Sequence, residues 1–239
     1  MDYSRIPSFN ARRSDNEIRM SSPQINYNPN FFDPVNEQDA RSIILDYESM
    51  NLDERWEQET AWLSDLFRSF RSFDADSIVA DVGVGIGRVS KVLIDEYACK
   101  VTGVDINPKM LAYSTSYVNS DLYSIMLSKN FMSKRHKTKY THIITAWAIQ
   151  HVPFPESHKI ILKMHEILEP GGLLFVLEMN DKCVPCDPIS DSGARFFQDQ
   201  SNLPKYQELF EPVIIGKLPL SIFPAELVGR CWWGLLRKR

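Results

Sequence analysis

Two periods of apolar residues alternate along the chain. Short β-branched and aliphatic runs, Ile78-Val79-Ala80 and Val101-Thr102-Gly103-Val104, have the length and composition of buried strands. Between them, apolar residues recur three and four apart. Val89, Val92, Leu93 and Tyr97 mark one helix. Met110, Leu111, Tyr113 and Tyr117 form the inner face of another, which starts at Pro108, a favoured early helical position. Leu122 to Leu127 predicts a third strand, Tyr140 to Val152 a fourth strand with its following loop, Glu156 to Leu168 a helix and Leu173 to Glu178 a fifth strand. Upstream, Asp39 to Tyr47 and Asp53 to Phe70 have helical spacing. Asp53 is the expected N-cap of the second of these helices, and Trp56, Trp62, Leu63, Leu66 and Phe67 lie along its apolar stripe. After the polar, irregular stretch Asn180 to Asn202, a short helix is expected at Tyr206 to Phe210. A closing strand pair is expected at Val213 to Leu220 and Gly229 to Leu236.

Repeated strand–helix units imply a parallel sheet with helices on both faces, and a closing hairpin makes one terminal strand antiparallel. Residues 1–38 differ in kind: they are rich in Asn, Ser, Pro and Arg and poor in aliphatics, so they are expected to be a polar tail ahead of a domain at 39–239. Tyr27, Phe31 and Phe32 interrupt this tail. Clustered aromatics are expected to dock on the body, either as plain packing or as a lid over a substrate pocket.

Composition narrows the classes. At 44% hydrophobic with five tryptophans, the 239 residues suffice for a real core. A net charge of −4 exerts no general pull toward nucleic acid or an anionic membrane. No apolar run approaches the roughly 20 residues that span a bilayer. Met1 to Met20 lacks the apolar block of a secretory signal. Four scattered cysteines do not form a disulfide framework at this length, so a cytoplasmic setting is expected. Cys183-x-x-Cys186 has metal-ligand spacing, but a single pair falls short of the four ligands of structural zinc, and no metal is expected. Lys129 to Lys139 forms a basic loop, read as a solvated surface or as a patch for an anionic substrate.

The chemistry concentrates after the first strand. There Asp81-Val82-Gly83-Val84-Gly85-Ile86-Gly87-Arg88 places glycines at alternate positions between a strand and a helix. Such a turn lets a ligand approach the backbone and meet the N–H groups of the helix start. About 20 residues later, Asp105 ends the second strand, where an acid accepts hydrogen bonds from ribose hydroxyls. The acid-x-Gly-x-Gly-x-Gly order resembles motif I of the class I S-adenosylmethionine (SAM)-dependent methyltransferases, of the small-molecule, type 11-like kind. Tyr140–Val152 and Leu168-Glu169-Pro170-Gly171-Gly172 resemble the fourth-strand motif and the turn into the fifth strand of that family, and the resemblance covers about residues 55–180. It implies an α/β, Rossmann-like, doubly wound sheet of seven strands, mostly parallel with an antiparallel terminal strand, and SAM as cofactor.

The resemblance also assigns roles. Asp81 and the turn of Gly83, Gly85 and Gly87 face the methionine end of SAM; Asp105 holds the ribose; Ile106 packs on the adenine; Ala146 and Trp147 lie near the sulfonium; Arg88 and Met110 are further cofactor-binding candidates. Where the family often has an acid after the third strand, this chain offers Ser128 or Asn130 to the adenine amine. Where the family often has an acid in the fourth strand, it has His142. Tyr27, Trp56 and Glu178 are candidate acceptor contacts, with plain core the competing reading for Trp56. His151 is the candidate general base, or else a structural histidine. The expected acceptor is a small or sugar-like molecule methylated on oxygen. A protein or peptide amine, a non-catalytic nucleotide-binding module and a dinucleotide oxidoreductase are the alternatives.

Overall fold

A computed structural model of the protein describes residues 32–45, 51–152, 156–179, 202–223 and 225–239. Tyr27, Phe31, Cys183 and Cys186 lie outside them. In chain order the elements are α1 (Glu37–Leu45), α2 (Leu52–Phe70), β1 (Ile78–Val82), α3 (Arg88–Tyr97), β2 (Lys100–Asp105), α4 (Pro108–Val118), β3 (Tyr123–Leu127) and α5 (Ser128–Phe131). Then come β4 (Tyr140–Ala146), a 3-10 turn (Ile149–His151), α6 (Glu156–Ile167), β5 (Leu168–Met179), α7 (Leu203–Leu209), β6 (Phe210–Gly216), α8 (Ala225–Val228) and β7 (Cys231–Lys238).

The strands form one sheet in the order β3-β2-β1-β4-β5-β7-β6. β1 through β5 run parallel, and β7 enters antiparallel to both β5 and β6. The expected seven-stranded, doubly wound sheet with an antiparallel terminal strand is therefore present. The chain winds outward from β1 to β3, then returns to the far side of β1 with β4, so the order reverses between β1 and β4. In open α/β sheets the crevice at the carboxyl ends of such a pair is the binding position.

One apolar layer, including Leu63, Phe67, Leu93 and Phe175, covers one face of the sheet. A second, with Phe131, Tyr140, Met164 and Phe210, covers the other. A small third cluster of Ala40, Leu45, Trp56, Ile86 and Met110 seats α1 on α2 and the glycine turn.

The boundaries moved for local reasons. The cap of α2 is Asn51, not Asp53: its side chain accepts from the N–H groups of Asp53 and Glu54, and Asp53 serves in the first turn. β5 begins at Leu168 because Leu168 pairs with Tyr140 before the register slips through the Pro170-Gly171-Gly172 stretch and resumes at His142–Leu173. β6 ends at Gly216, ahead of Pro219, and Leu218 turns into the core instead. The basic stretch opens with the short helix α5 rather than with loop.

Charge is buried where α2 meets α3. Glu59, 1% exposed, pairs with the Arg55 Nε and with the Arg88 guanidinium at 3.4 Å, and Arg55 also donates to the Leu45 carbonyl. Arg41 and Arg88 lie over the Trp56 ring at 5.0 and 5.3 Å. The cluster ties α1, α2 and the start of α3 together. Replacing Glu59 by Leu leaves the Arg88 guanidinium buried without this counter-charge and removes one partner of Arg55. It should lower unfolding free energy by about 3–5 kcal/mol in urea titration; a loss under about 1 kcal/mol would mean that water compensates the arginines.

Candidate active site

Backbone geometry builds the crevice. After β1 the chain turns through Gly83 at φ 80° and Gly85 at φ 54°, conformations that L side chains seldom adopt. The N–H groups of Gly83 and Val84 donate to the carbonyl of Val104 at 2.8 and 3.0 Å, and Gly85 N–H donates to Asp105 Oδ2 at 3.0 Å. The end of β2 thus holds the turn. A Cβ on Gly83 would lie 2.1 Å from the Ala148 Cβ, and one on Gly85 2.6 Å from the tip of Ile44. Beyond this turn opens a cavity of about 380 Å³, walled by Val82, Gly83, Gly85, Asp105, Ile106 and Met110 on one side and by Ala146 to Ile149 on the other.

Asp105 sits at the floor. Burial pushes its carboxyl pKa upward, opposed by N–H donors from Asn107, Gly85 and Ile106. Oδ2 accepts from Gly85 and Oδ1 from Asn107 at 2.9 Å. A carboxylate has about four acceptor positions, so with three taken it retains about one for a ligand hydroxyl. Beside it Ile106 is 51% exposed, an apolar surface that a flat ring can cover. Asn107 does three jobs: its N–H donates to Asp105, its Oδ1 caps α4, and its Nδ2 donates to the Phe32 carbonyl at 2.6 Å. Asp33 and Lys109 add an exposed ion pair at 2.7 Å. Phe32, so anchored, lines the cavity and meets the His151 ring edge-on at 5.7 Å between centroids.

His151 stands on the 3-10 turn after β4. Its Nε2 lies 3.2 Å from Gln150 Nε2, and Gln150 Oε1 accepts from the Met179 N–H at 2.8 Å. Trp147 turns the chain out of β4 at φ 59°, held by its N–H bond to the Leu177 carbonyl at 2.8 Å. A positive φ in a bulky residue at a cavity wall is local strain that the packed strands β4 and β5 sustain.

Of the residues anticipated from sequence, Gly83, Gly85, Asp105, Ile106, Met110, Ala146, Trp147 and His151 line this one cavity, and so does Ser128. The others stand elsewhere. Asp81 is buried beneath the turn, where it accepts from Ser90 Oγ at 2.7 Å, and burial pushes its pKa up to about 6. Gly87 opens α3, with Val118 where its Cβ would be. Arg88 is paired with Glu59, and burial lowers its pKa. Trp56 belongs to the cluster under α1. Asn130 is exposed on α5. Glu178, 1% exposed, accepts from Tyr206 Oη at 2.9 Å and from Asn202 at 3.3 Å, and burial pushes its pKa up to about 7. His142 is buried against Phe73, and burial drives its pKa down to about 4, so it is neutral near pH 7.

Sequence reading missed Gln150 and the apolar wall of Ile43, Ile44, Val152 and Ile160. The wall carried a signal only as an amphipathic helix, because an apolar stripe does not say which pocket it closes. Gln150 carried none. Among the described residues no three His, Cys, Asp or Glu side chains gather as a metal site. No described helix is long and apolar enough to cross a membrane.

Residues 79–172 match a family model described as a methyltransferase domain. Over 114 residues, 46% of this chain and 26% of the relative, the sequence is 23% identical to phosphoethanolamine N-methyltransferase 2 of Caenorhabditis elegans. Over 135 residues, 55% of this chain and 42% of the relative, it is 25% identical to 2-methyl-6-phytyl-1,4-hydroquinone methyltransferase of Synechocystis sp.. The chain thus spans less than half the length of either curated relative. The fold superposes on magnesium protoporphyrin IX methyltransferase of Synechocystis PCC 6803, solved with bound S-adenosylhomocysteine. The TM-score is 0.60 at 15% identity, covering 87% of this chain and 97% of that one.

Asp105→Ala should weaken binding of an adenosyl ligand by about 1.5–3 kcal/mol, the range for hydrogen bonds to charged groups. Calorimetry checks this, and equal affinity in a folded variant would remove Asp105 from the site. Glu178 yields a second expectation. The folded carboxyl holds its proton more tightly than the unfolded one. Its contribution is therefore full below about pH 4.5 and lost as pH rises through about 7. Glu178→Gln should remove about 2–4 kcal/mol of the stability decline across that window. Urea titrations at pH 5 and pH 8 measure it; identical pH slopes in variant and wild type would contradict it.

Proposed function

We propose that this chain, whose residues 79–172 match a methyltransferase-domain model, is a class I SAM-dependent methyltransferase that carries a methyl group from SAM to a small-molecule acceptor, on oxygen in the first instance. One observation carries the reading: an acid bound to the glycine turn, with spare acceptor capacity, faces a cavity beside an exposed aliphatic side chain at the sheet's reversal point.

The residues fit the cofactor. Asp105 suits a ribose hydroxyl, Ile106 suits a flat purine face, and Gly85 keeps the turn clear of a Cβ. Ser128, which lines the cavity, suits the adenine amine better than the exposed Asn130. Asp81 supports from beneath by fixing Ser90, rather than by touching the ligand. When bound, SAM supplies an electrophilic methyl on a sulfonium. The chain's own contribution is alignment and exclusion of water, which for well-oriented reactants reaches about 7–11 kcal/mol.

The acceptor side is apolar: Phe32, Ile43, Ile44, Val152 and Ile160, with Glu156 and His151 as polar groups. A concave cavity of about 380 Å³ supports a small acceptor over a folded polypeptide. The names of the relatives, a phosphoethanolamine N-methyltransferase, a hydroquinone methyltransferase and a porphyrin methyltransferase, agree with a small molecule.

A thermal-shift comparison of SAM, S-adenosylhomocysteine, NAD and NADP tests the cofactor. Ligand at 100 times its dissociation constant adds about 2.7 kcal/mol to folding stability. The two adenosyl-sulfur ligands should raise the melting temperature, and the dinucleotides should not. Stabilisation by NAD or NADP alone would replace the methyltransferase reading with an oxidoreductase one.

A further inference from the structure

Among the described residues, the one histidine on the cavity wall is held by a glutamine that neither the family match nor the glycine turn accounts for. Gln150 is 8% exposed, and its two amide atoms have different partners. Met179 N–H donates to Oε1 at 2.8 Å. A backbone N–H is only a donor, so the atom facing it is the oxygen, and the amide orientation follows from the network without ambiguity. The NH₂ group is therefore the atom 3.2 Å from His151 Nε2. An amide NH₂ donates and does not accept. His151 Nε2 must then be the unprotonated, accepting nitrogen, and a neutral ring with its lone pair there carries its proton on Nδ1.

We infer that Gln150 is a positioning residue which locks His151 in the Nδ1–H tautomer, so that His151 serves the acceptor site by orientation and not as a general base. Neither ring nitrogen is suited to take a proton from the acceptor. Nδ1 already holds one, and the Nε2 lone pair is engaged by the amide. Protonating Nε2 would set an N–H against the NH₂ of Gln150, whose orientation the β5 backbone maintains through Met179. Phe32, edge-on to the ring at 5.7 Å, restricts its rotation from the other side. This consequence for the acceptor rests on the methyltransferase reading. Given that reading, the site favours an acceptor whose nucleophilic atom is already ionised, such as a carboxylate or an acidic phenol, or one whose proton passes to solvent after attack. The methyl then moves from sulfur to that oxygen while the sulfur keeps the electron pair of the broken bond.

Nitrogen-15 NMR of the full chain, with histidines labelled, reads the tautomer directly and needs neither cofactor nor acceptor. In wild type at a pH where the ring is neutral, His151 Nδ1 should give the protonated, pyrrole-like shift and Nε2 the unprotonated, pyridine-like one. In Gln150→Glu both side-chain oxygens accept: one keeps the Met179 N–H and the other draws the proton to Nε2, so the two shifts should exchange. In Gln150→Leu the lock is gone, and the Nε2–H form should gain at least tenfold in population over wild type. An Nε2–H ring in wild type, or shifts unmoved in Gln150→Glu, would overturn the proposal. Loss of SAM binding in the thermal-shift screen would overturn the methyltransferase reading and leave the tautomer result standing, which separates the two failures. Once an acceptor is known, His151→Gln should cost less than tenfold in turnover with the pH profile retained; a loss of a hundredfold or more, with the acid limb removed, would restore the base.

Discussion

The hydrogen bond from Gly85 N–H to the Asp105 carboxylate joins the ends of two neighbouring strands, and much of the site depends on it. β1 and β2 run in parallel register with Val82 opposite Val104. Leaving β1, the chain must turn at the level where Asp105 emerges. The turn's first two N–H groups are taken by the Val104 carbonyl, and its third by the acid itself. Burial alone raises the acid's pKa; the backbone N–H groups oppose that, and an oriented carboxyl group results at the sheet's reversal point. Glycine is required here for a local reason, since positive φ and the close approach of Ile44 and Ala148 leave no room for a Cβ.

From that tie the cavity acquires its remaining walls through two buried polar systems. Beneath the glycine turn, Glu59 holds Arg55 and Arg88, and the cation–aromatic contacts with Trp56 seat α1 so that Ile43 and Ile44 close the site. Arg88 follows the glycines directly in sequence, yet its work is to anchor helices. At the other side Asn107 links the acid to Phe32, and Phe32 to His151. Two walls of the cavity therefore share one asparagine.

The carboxyl end of β5 supports the cavity without lining it. Glu178 is satisfied by Tyr206 and Asn202, which fixes α7 against the sheet, and the adjacent Met179 N–H aims Gln150 at His151. A buried carboxyl with a pKa near 7 is a frequent mark of a functional site. Here its partners are structural and its oxygens face the core, so the same physics serves the scaffold.

Periodicity and turn chemistry determined the fold class from sequence alone. Strand–helix alternation with short linkers permits few topologies, and right-handed crossovers leave mainly the doubly wound sheet. The cavity-lining residues that are legible are those whose position follows from the backbone: Gly83, Gly85, Asp105, Ile106, Ala146 and Trp147 all sit at or just past strand ends, and strand ends are local features. What tertiary structure decided was the direction in which each side chain points and what meets it from afar. Asp81 lies in the same motif as Gly83 but alternates to the face where Ser90 waits. Trp56 turns inward into the apolar cluster under α1, and Glu178 turns inward to the donors on Tyr206 and Asn202. Ile44 reaches the glycine turn from about 40 residues upstream, and Gln150 takes its orientation from an N–H 29 residues away. Such long-range pairings leave no periodic trace in the chain, because they are set by the packing of finished elements and not by the spacing within any one of them.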